Sequence, residues 1–251
     1  MKIYKIGNRA CIDDNGSFLT KKIEDWTTFL NRDGLYDALR REMEHWDETD
    51  SSFLQFGYFD PPIGDQEIWA AGVTYERSKT ARMDETQHPG VEKLYSKVYN
   101  AERPELFFKA TPQRCVGNGK EVYIRRDSSW NVPEPELTLL LNSNGLIQGY
   151  TVGNDMSSRS IEGENPLYLP QAKIYEKCVA LGPCIYVPKG PIPKTVRIHI
   201  QIERQGKVMY NENVPISRIK REFTDLINFL YSECDFPNGA FLMTGTCLVP
   251  P

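Results

Sequence analysis

Short apolar runs and strict alternations dominate this chain. Val196-Arg197-Ile198-His199-Ile200-Gln201-Ile202 alternates at every position, so the valine and isoleucines share one face of a strand. His199 falls on the opposite, outward face. The same reading predicts short strands near 67–73, 106–110, 121–125, 184–187, 195–203 and 208–210. Turn residues punctuate them: Asp14-Asn15-Gly16 predicts a hairpin over residues 1–22, and Arg204-Gln205-Gly206-Lys207 another turn. Leu35, Leu39, Met43 and Trp46 recur at helical spacing and predict a helix over about 34–47. Phe223, Leu226, Ile227 and Leu230 predict another, over 223–231. Strands and helices do not alternate as βαβ units, and no G-x-G-x-x-G or P-loop pattern occurs. The pattern predicts a β-rich α+β fold.

One hairpin carries candidate chemistry. Leu139-Leu140-Leu141-Asn142-Ser143-Asn144-Gly145-Leu146-Ile147 is an apolar run interrupted by Asn-Gly. A two-residue type I′ turn at Asn144-Gly145 pairs Ser143 with Leu146. Extending that register places Glu134 opposite Asp155 and Glu136 opposite Gly153. Residues two apart share a strand face, and cross-strand neighbours lie within roughly 5 Å. Three carboxylates then meet on one patch of sheet, where mutual repulsion favours a cation. On the other face, Leu137, Leu139 and Leu141 opposite Val152 and Tyr150 read as a core side. The competing reading of Glu134-Pro135-Glu136 is the solvated face of an edge strand, where proline is common.

Composition narrows the chemistry. The net charge of −4 argues against a nucleic-acid binder. No apolar run is long enough for a membrane span, and the first residues lack the apolar core of a signal peptide. Six scattered cysteines without a C-x-x-C pair suggest reduced thiols in a cytoplasmic protein, and they disfavour zinc. The three histidines, His45, His88 and His199, are far apart in the sequence. Carboxylate-only ligation therefore predicts a hard cation, Mg²⁺ first and then Mn²⁺ or Ca²⁺. The breaker-rich Asp60-Pro61-Pro62-Ile63-Gly64-Asp65 predicts a boundary between a small N-terminal domain, 1–62, and a catalytic domain, 63–251. The polar stretch 74–103 reads either as a lid or as a solvated surface excursion.

Several segments together resemble a known family. They are Pro133-Glu134-Pro135-Glu136-Leu137, Gly149 to Arg159 (GYTVGNDMSSR), Lys173, and Thr244-Gly245-Thr246. This set is similar to the fumarylacetoacetate hydrolase superfamily. Arg103 to Pro112 (RPELFFKATP) and Glu164 to Tyr175 (ENPLYLPQAKIY) most resemble its 2-keto-3-deoxy-D-arabinonate dehydratase branch. The resemblance implies a mixed β-roll or sandwich core with a small N-terminal domain, assembled as a homodimer or higher homo-oligomer. It also implies Mg²⁺ held by Glu134, Glu136 and Asp155, and a small 2-keto acid substrate that chelates the metal. Hydrolases and decarboxylases of the superfamily carry a His-Glu pair near the lid. Residues 72–79 contain no histidine, which favours the dehydratase branch. Relatives continue for several strands beyond Thr-Gly-Thr, so C-terminal strands are expected to be missing after Pro250-Pro251.

In a 2-keto-3-deoxy sugar acid, metal bound to the keto-acid end acidifies the C3 protons and stabilises an enolate. The C4 hydroxyl then leaves, and rearrangement of a five-carbon substrate gives 2,5-dioxopentanoate. Lys173 is the first candidate for acid or base, with Glu105 as its partner. Alternatively, Lys173 simply balances the carboxylates and Glu105 lies on the surface. Lys109, Gly245 and Thr246 are candidates for holding the substrate carboxylate, and Tyr75 and Glu76 for touching its hydroxyls. Arg159 is expected to pair with a nearby acid as scaffold. The alternatives are a C–C bond hydrolase, a 2-keto-acid decarboxylase, or a non-catalytic metal-binding domain. Glu134→Gln is predicted to abolish metal-dependent turnover while leaving the circular dichroism of the fold intact. Full activity in that variant would exclude the metal role.

Overall fold

The computed structural model describes residues 1–57, 59–78 and 91–250. The chain opens with a meander of β1 (Lys2–Ile6), β2 (Arg9–Asp14) and β3 (Ser17–Lys22), where one hairpin was expected. The second turn falls at the expected Asp14-Asn15-Gly16 segment and is a two-residue loop: Asp14 pairs with Ser17, with φ of 54° at Asn15 and 90° at Gly16. Helices α1 (Trp26–Leu30) and α2 (Leu35–Glu42) follow, and α2 continues into a 3₁₀ turn, so the expected helix is present. Next come β4 (Asp47–Glu48), β5 (Glu67–Gly72), α3 (Val91–Asn100), β6 (Glu105–Ala110), β7 (Cys115–Val116) and β8 (Asn131–Val132). The central hairpin is β9 (Pro135–Leu141) and β10 (Ile147–Asp155), followed by β11 (Ser157–Ser158), α4 (Arg159–Glu164) and α5 (Leu169–Lys173). The chain then forms β12 (Val179–Tyr186), β13 (Arg197–Arg204), β14 (Lys207–Pro215), α6 (Phe223–Leu230) and β15 (Ala240–Met243).

One mixed sheet runs β4-β3-β2-β1-β12-β10-β9-β15-β5-β6, with β7 added beside β12. Only the β15–β5 and β12–β7 pairs are parallel. The expected domain boundary at 62/63 falls between β4 and β5, and the sheet crosses it through the pairing of β1 with β12. Every residue of β9 is buried, because both faces of the central sheet are covered. One apolar layer joins Ile3, Ile12 and Leu39 to Leu140, Phe241 and Met243. The other joins Leu139, Leu141, Tyr150 and Leu242 to residues of the β13–β14 hairpin and α6.

The central hairpin differs from its expected turn and yet reaches its expected register. Only Gly145 has positive φ, +71°, so the turn is not type I′. The Gly145 amide donates to Asn142 O at 2.9 Å, and the Asn142 amide donates to Leu146 O at 3.1 Å. These bonds define a three-residue loop with a glycine bulge. The Asn142 side chain selects it: Oδ1 accepts from the Asn144 and Leu146 amides at 3.2 and 2.9 Å. Asp33 holds the Asn144 side chain from outside. The wider loop shifts the register by one residue, so Leu141 pairs with Ile147. Gln148 is then bulged out, its Oε1 accepting the Leu35 amide at 2.9 Å, and the shift is undone. Beyond the bulge Glu136 faces Gly153 and Pro135 faces Asn154.

Two local expectations are corrected. Val152 pairs with Leu137 but is 57% exposed, because the covering layer ends there and leaves it beside an open cleft with Ile200 and Ile202. Residues 121–125 form no strand. There the Arg125 side chain takes Gln171 O and Asp127, and Tyr123 alone makes a strand-like amide bond, to Lys177 O. Leu139→Ala, at a fully buried position in β9, is expected to lower unfolding free energy by about 2–5 kcal/mol. Leu146→Ala, at the exposed loop, is expected to stay within about 0.5 kcal/mol, with chemical denaturation measuring both.

Candidate metal centre

The corrected register places three acids at the end of the central hairpin. Glu134 immediately precedes β9, Glu136 lies within it, and Asp155 ends β10. The Asp155 amide donates to Glu134 O at 2.9 Å, and Asn154 Oδ1 accepts the Glu134 amide at 3.2 Å. Carboxylate oxygens of Glu134, Glu136 and Asp155 lie within 4.8 Å of one another, and all three side chains are buried. Gly153, opposite Glu136, keeps the sheet closed at this level. A Cβ there sits 2.4 Å from Thr138 Oγ1 and 2.7 Å from Met243 Cε.

Buried cations surround the acids. Lys173 ends α5, and its Nζ lies 2.5 Å from Glu134 Oε2, 3.0 Å from Asp155 Oδ2 and 2.6 Å from Ser157 Oγ. Lys109, on β6, is fully buried. Its Nζ lies 2.6 Å from Asp155 Oδ1 and donates to Met156 O at 2.9 Å and to Lys173 O at 2.5 Å. Arg159 opens α4, where its guanidinium bridges the other Glu134 oxygen and Glu162. Buried charges are tolerated only when paired and hydrogen-bonded in this way.

Glu136 differs from the other two acids. It accepts the Gly245 amide at 2.6 Å and has no lysine or arginine within ion-pairing distance among the described residues. Burial, followed by the charges of Asp155 and Glu134, raises its pKa well above the ordinary carboxylate value, and Lys173 offsets this in part. An all-oxygen, buried, acidic donor set with one acid so destabilised when ionised fits a hard divalent cation. Histidine and cysteine contribute no ligand atom to the group.

Other expected site residues are differently placed. Lys109 was expected to hold a substrate carboxylate, but its ammonium is occupied by Asp155 and two backbone carbonyls, a supporting position. The Gly245 amide is turned to Glu136, and Thr246 Oγ1 bonds locally with the Leu248 backbone. Both were expected to bind a ligand carboxylate, and the tight turn at Gly245, with φ of +93°, directs them inward. Tyr75 is buried near Glu136. Its phenol has no hydrogen-bond partner among the described residues, and burial holds its pKa far up. Glu105 lies across from Gly72, where an added Cβ comes within 2.0 Å of its carboxylate. It lines a cavity of about 450 Å³ together with Glu162 and Tyr95.

Glu76 borders a separate cleft beside Tyr75 and Arg77. The expected lid at 74–103 falls partly outside the described residues, as does His88. A further cleft of about 600 Å³ between α2, β10 and α6 contains none of these residues. Arg159 takes the expected scaffold position. Sequence reasoning missed Ser157 and Glu162. The three-residue spacing of Arg159 and Glu162 on one helix is a signal for the second. Ser157 offers no comparable signal.

Comparison with known proteins agrees with this geometry. Residues 67–248 match the family model described as "Fumarylacetoacetate (FAA) hydrolase C-terminal", a segment holding all three acids and both buried lysines. The chain is 46% identical over 216 residues to "Probable 2-keto-3-deoxyxylonate dehydratase" of Haloferax volcanii, covering 85% of this chain and 73% of the relative. It is 44% identical over 192 residues to "2-dehydro-3-deoxy-D-arabinonate dehydratase" of Saccharolobus solfataricus, covering 75% of this chain and 64% of that one. The solved structure of "2-keto-3-deoxy-D-arabinonate dehydratase complexed with magnesium and 2,5-dioxopentanoate" superposes with a TM-score of 0.83. It is 34% identical, and the match covers 100% of this chain and 89% of the other. The family match spans most of the chain and contains the entire carboxylate cluster, so the protein belongs to the fumarylacetoacetate hydrolase family.

Proposed function

We propose that the protein is a Mg²⁺-dependent dehydratase of a 2-keto-3-deoxy sugar acid, such as 2-keto-3-deoxy-D-arabinonate. The observation that carries this reading is the buried acidic trio set against Lys173, in a chain with a structural relative complexed with magnesium and 2,5-dioxopentanoate. Glu134, Glu136 and Asp155 are the residues that hold the cation. When bound, the cation polarises the keto oxygen and acidifies the adjacent carbon.

The protein's own groups divide the remaining work. Lys173 lies beside the cluster and is the acid/base group for the C3 proton. Glu105, which lines a cavity with Glu162, is the partner for the departing C4 hydroxyl. Water leaves with one proton from C3 and the hydroxide from C4. Lys109 and the Gly245 amide orient Asp155 and Glu136, and Arg159 orients Glu134. The Tyr75 phenol, without a hydrogen-bond partner among the described residues, is the donor for a substrate oxygen. Thr246 shapes the turn that carries Gly245. The reading extends to a cytoplasmic homo-oligomer. Free cysteines at all six positions support the compartment, and exposed Val152, Val208 and Met209 support association.

Metal-stripped protein incubated with 2-keto-3-deoxy-D-arabinonate is expected to form 2,5-dioxopentanoate, seen by NMR, only after Mg²⁺ is added. Pyruvate or another cleavage product would move the assignment to C–C chemistry, and turnover without metal would contradict the reading. Lys173→Met is expected to lower kcat by about 10²–10⁴-fold.

Acidity provides a separate check. The folded protein binds a proton at Glu136 more tightly than the unfolded chain does. That contribution therefore favours folding at acid pH and is lost as pH rises through the raised value. Metal replaces the proton, so the increase in Tm on adding Mg²⁺ is expected to be larger at pH 8 than at pH 5.5. Glu136→Gln is expected to remove most of this difference.

A further inference from the structure

The two buried lysines at the acidic cluster differ in what holds them. Lys109 lies against Asp155 Oδ1, but its other two acceptors, Met156 O and Lys173 O, are backbone carbonyls. The main chain fixes those carbonyls, and Asp155 can change its contacts without releasing the ammonium. Lys173 is held differently. Among the described residues its Nζ is hydrogen-bonded by three side chains, through Glu134 Oε2, Asp155 Oδ2 and Ser157 Oγ. Two of those three belong to the acids that hold the cation in the function proposed above, a reading on which this inference rests.

We infer that Lys173 is an internal counter-cation that an arriving divalent metal displaces from Glu134 and Asp155, leaving Ser157 as its tether. The geometry of the carboxylates supports this. Glu134 Oε1 is taken by Arg159 and Asp155 Oδ1 by Lys109, so among the described residues the oxygens shared with Lys173 are those where a metal meets the lysine as its competitor. Two cations at contact distance from the same oxygens repel strongly in a buried site. Ser157 Oγ is not an acid, and it also donates to Glu134 Oε2 at 2.9 Å, so it can hold the lysine beside the cluster after the exchange. Lys109 has no such freedom and stays as the permanent charge on Asp155. The exchange makes metal entry the event that turns the Lys173 amine away from the carboxylates and toward a ligand. Lys173 thus stabilises the metal-free protein before it serves in the reaction.

The test is Mn²⁺ affinity, read as free Mn²⁺ by electron paramagnetic resonance, with no substrate present. Lys173→Met and Lys173→Gln remove the competing charge, and each is expected to bind Mn²⁺ at least tenfold more tightly than the parent protein. Lys173→Arg keeps the charge and is expected not to tighten binding. The neutral variants are also expected to have lower Tm without metal and a larger Tm gain with it. Two independent neutral variants guard against one that fails to fold. Equal or weaker binding by the neutral variants, or equal tightening by the arginine variant, overturns the inference while leaving the metal site intact. Absence of Mn²⁺ binding in the parent protein overturns the proposed metal-dependent function itself, and this inference with it.

Discussion

Repulsion among buried carboxylates is the constraint on which this structure depends. Carboxylate oxygens of Glu134, Glu136 and Asp155 are held within 4.8 Å of one another by the backbone of one hairpin, buried from bulk solvent. Among the described residues three cationic side chains answer them, arriving from β6, α4 and α5. Each pairing also ties a peripheral element to the central sheet: Lys109 reaches the backbone at Met156 and Lys173, and Arg159 joins Glu134 to α4. The site is therefore part of what organises the fold around it. Glu136, which lacks a cationic partner among the described residues, is where the compensation is incomplete and where a metal has most to offer.

The sheet supplies the precision this arrangement needs. A slip of one residue between β9 and β10 sends alternate side chains to the wrong face and disperses the acids. Three features keep the register: the Asn142-capped loop, the Gln148 bulge anchored on the Leu35 amide, and Gly153 in the tight space beside Thr138 and Met243. Leu35 belongs to α2, so the N-terminal region takes part in setting the central hairpin. Lys173 acquires its role in the same way. The short helix α5 brings it back from outside the sheet to within hydrogen-bonding reach of two acids and a serine.

Much of this was legible in the sequence because it rests on short-range periodicity. The strand alternation near His199, the helix beginning at Leu35 and the pairing of Glu136 with Gly153 all follow from it. The pairing was reached through an incorrect turn, and the Gln148 bulge, which sequence reasoning did not anticipate, restored it. The side-chain cap from Asn142 decided the turn, and such local hydrogen bonds compete with the simple Asn-Gly rule. Long-range partners were less visible. Whether Lys109 faces a ligand or a backbone carbonyl depends on elements distant in sequence, as does the turning of Gly245 toward Glu136. Residues 121–125 have strand-like composition, but side-chain bonds to Gln171 and Asp127 claim the segment instead.

On the reading proposed above, the three acids form one divalent-cation site at the end of the β9–β10 hairpin. The most direct measurement is an anomalous-difference map from crystals of the protein grown with Mn²⁺. One strong peak per chain is expected, within coordination distance of oxygens from Glu134, Glu136 and Asp155, and absent from crystals of Glu136→Gln. A map with no peak there, or with its peak at another cluster, would contradict it.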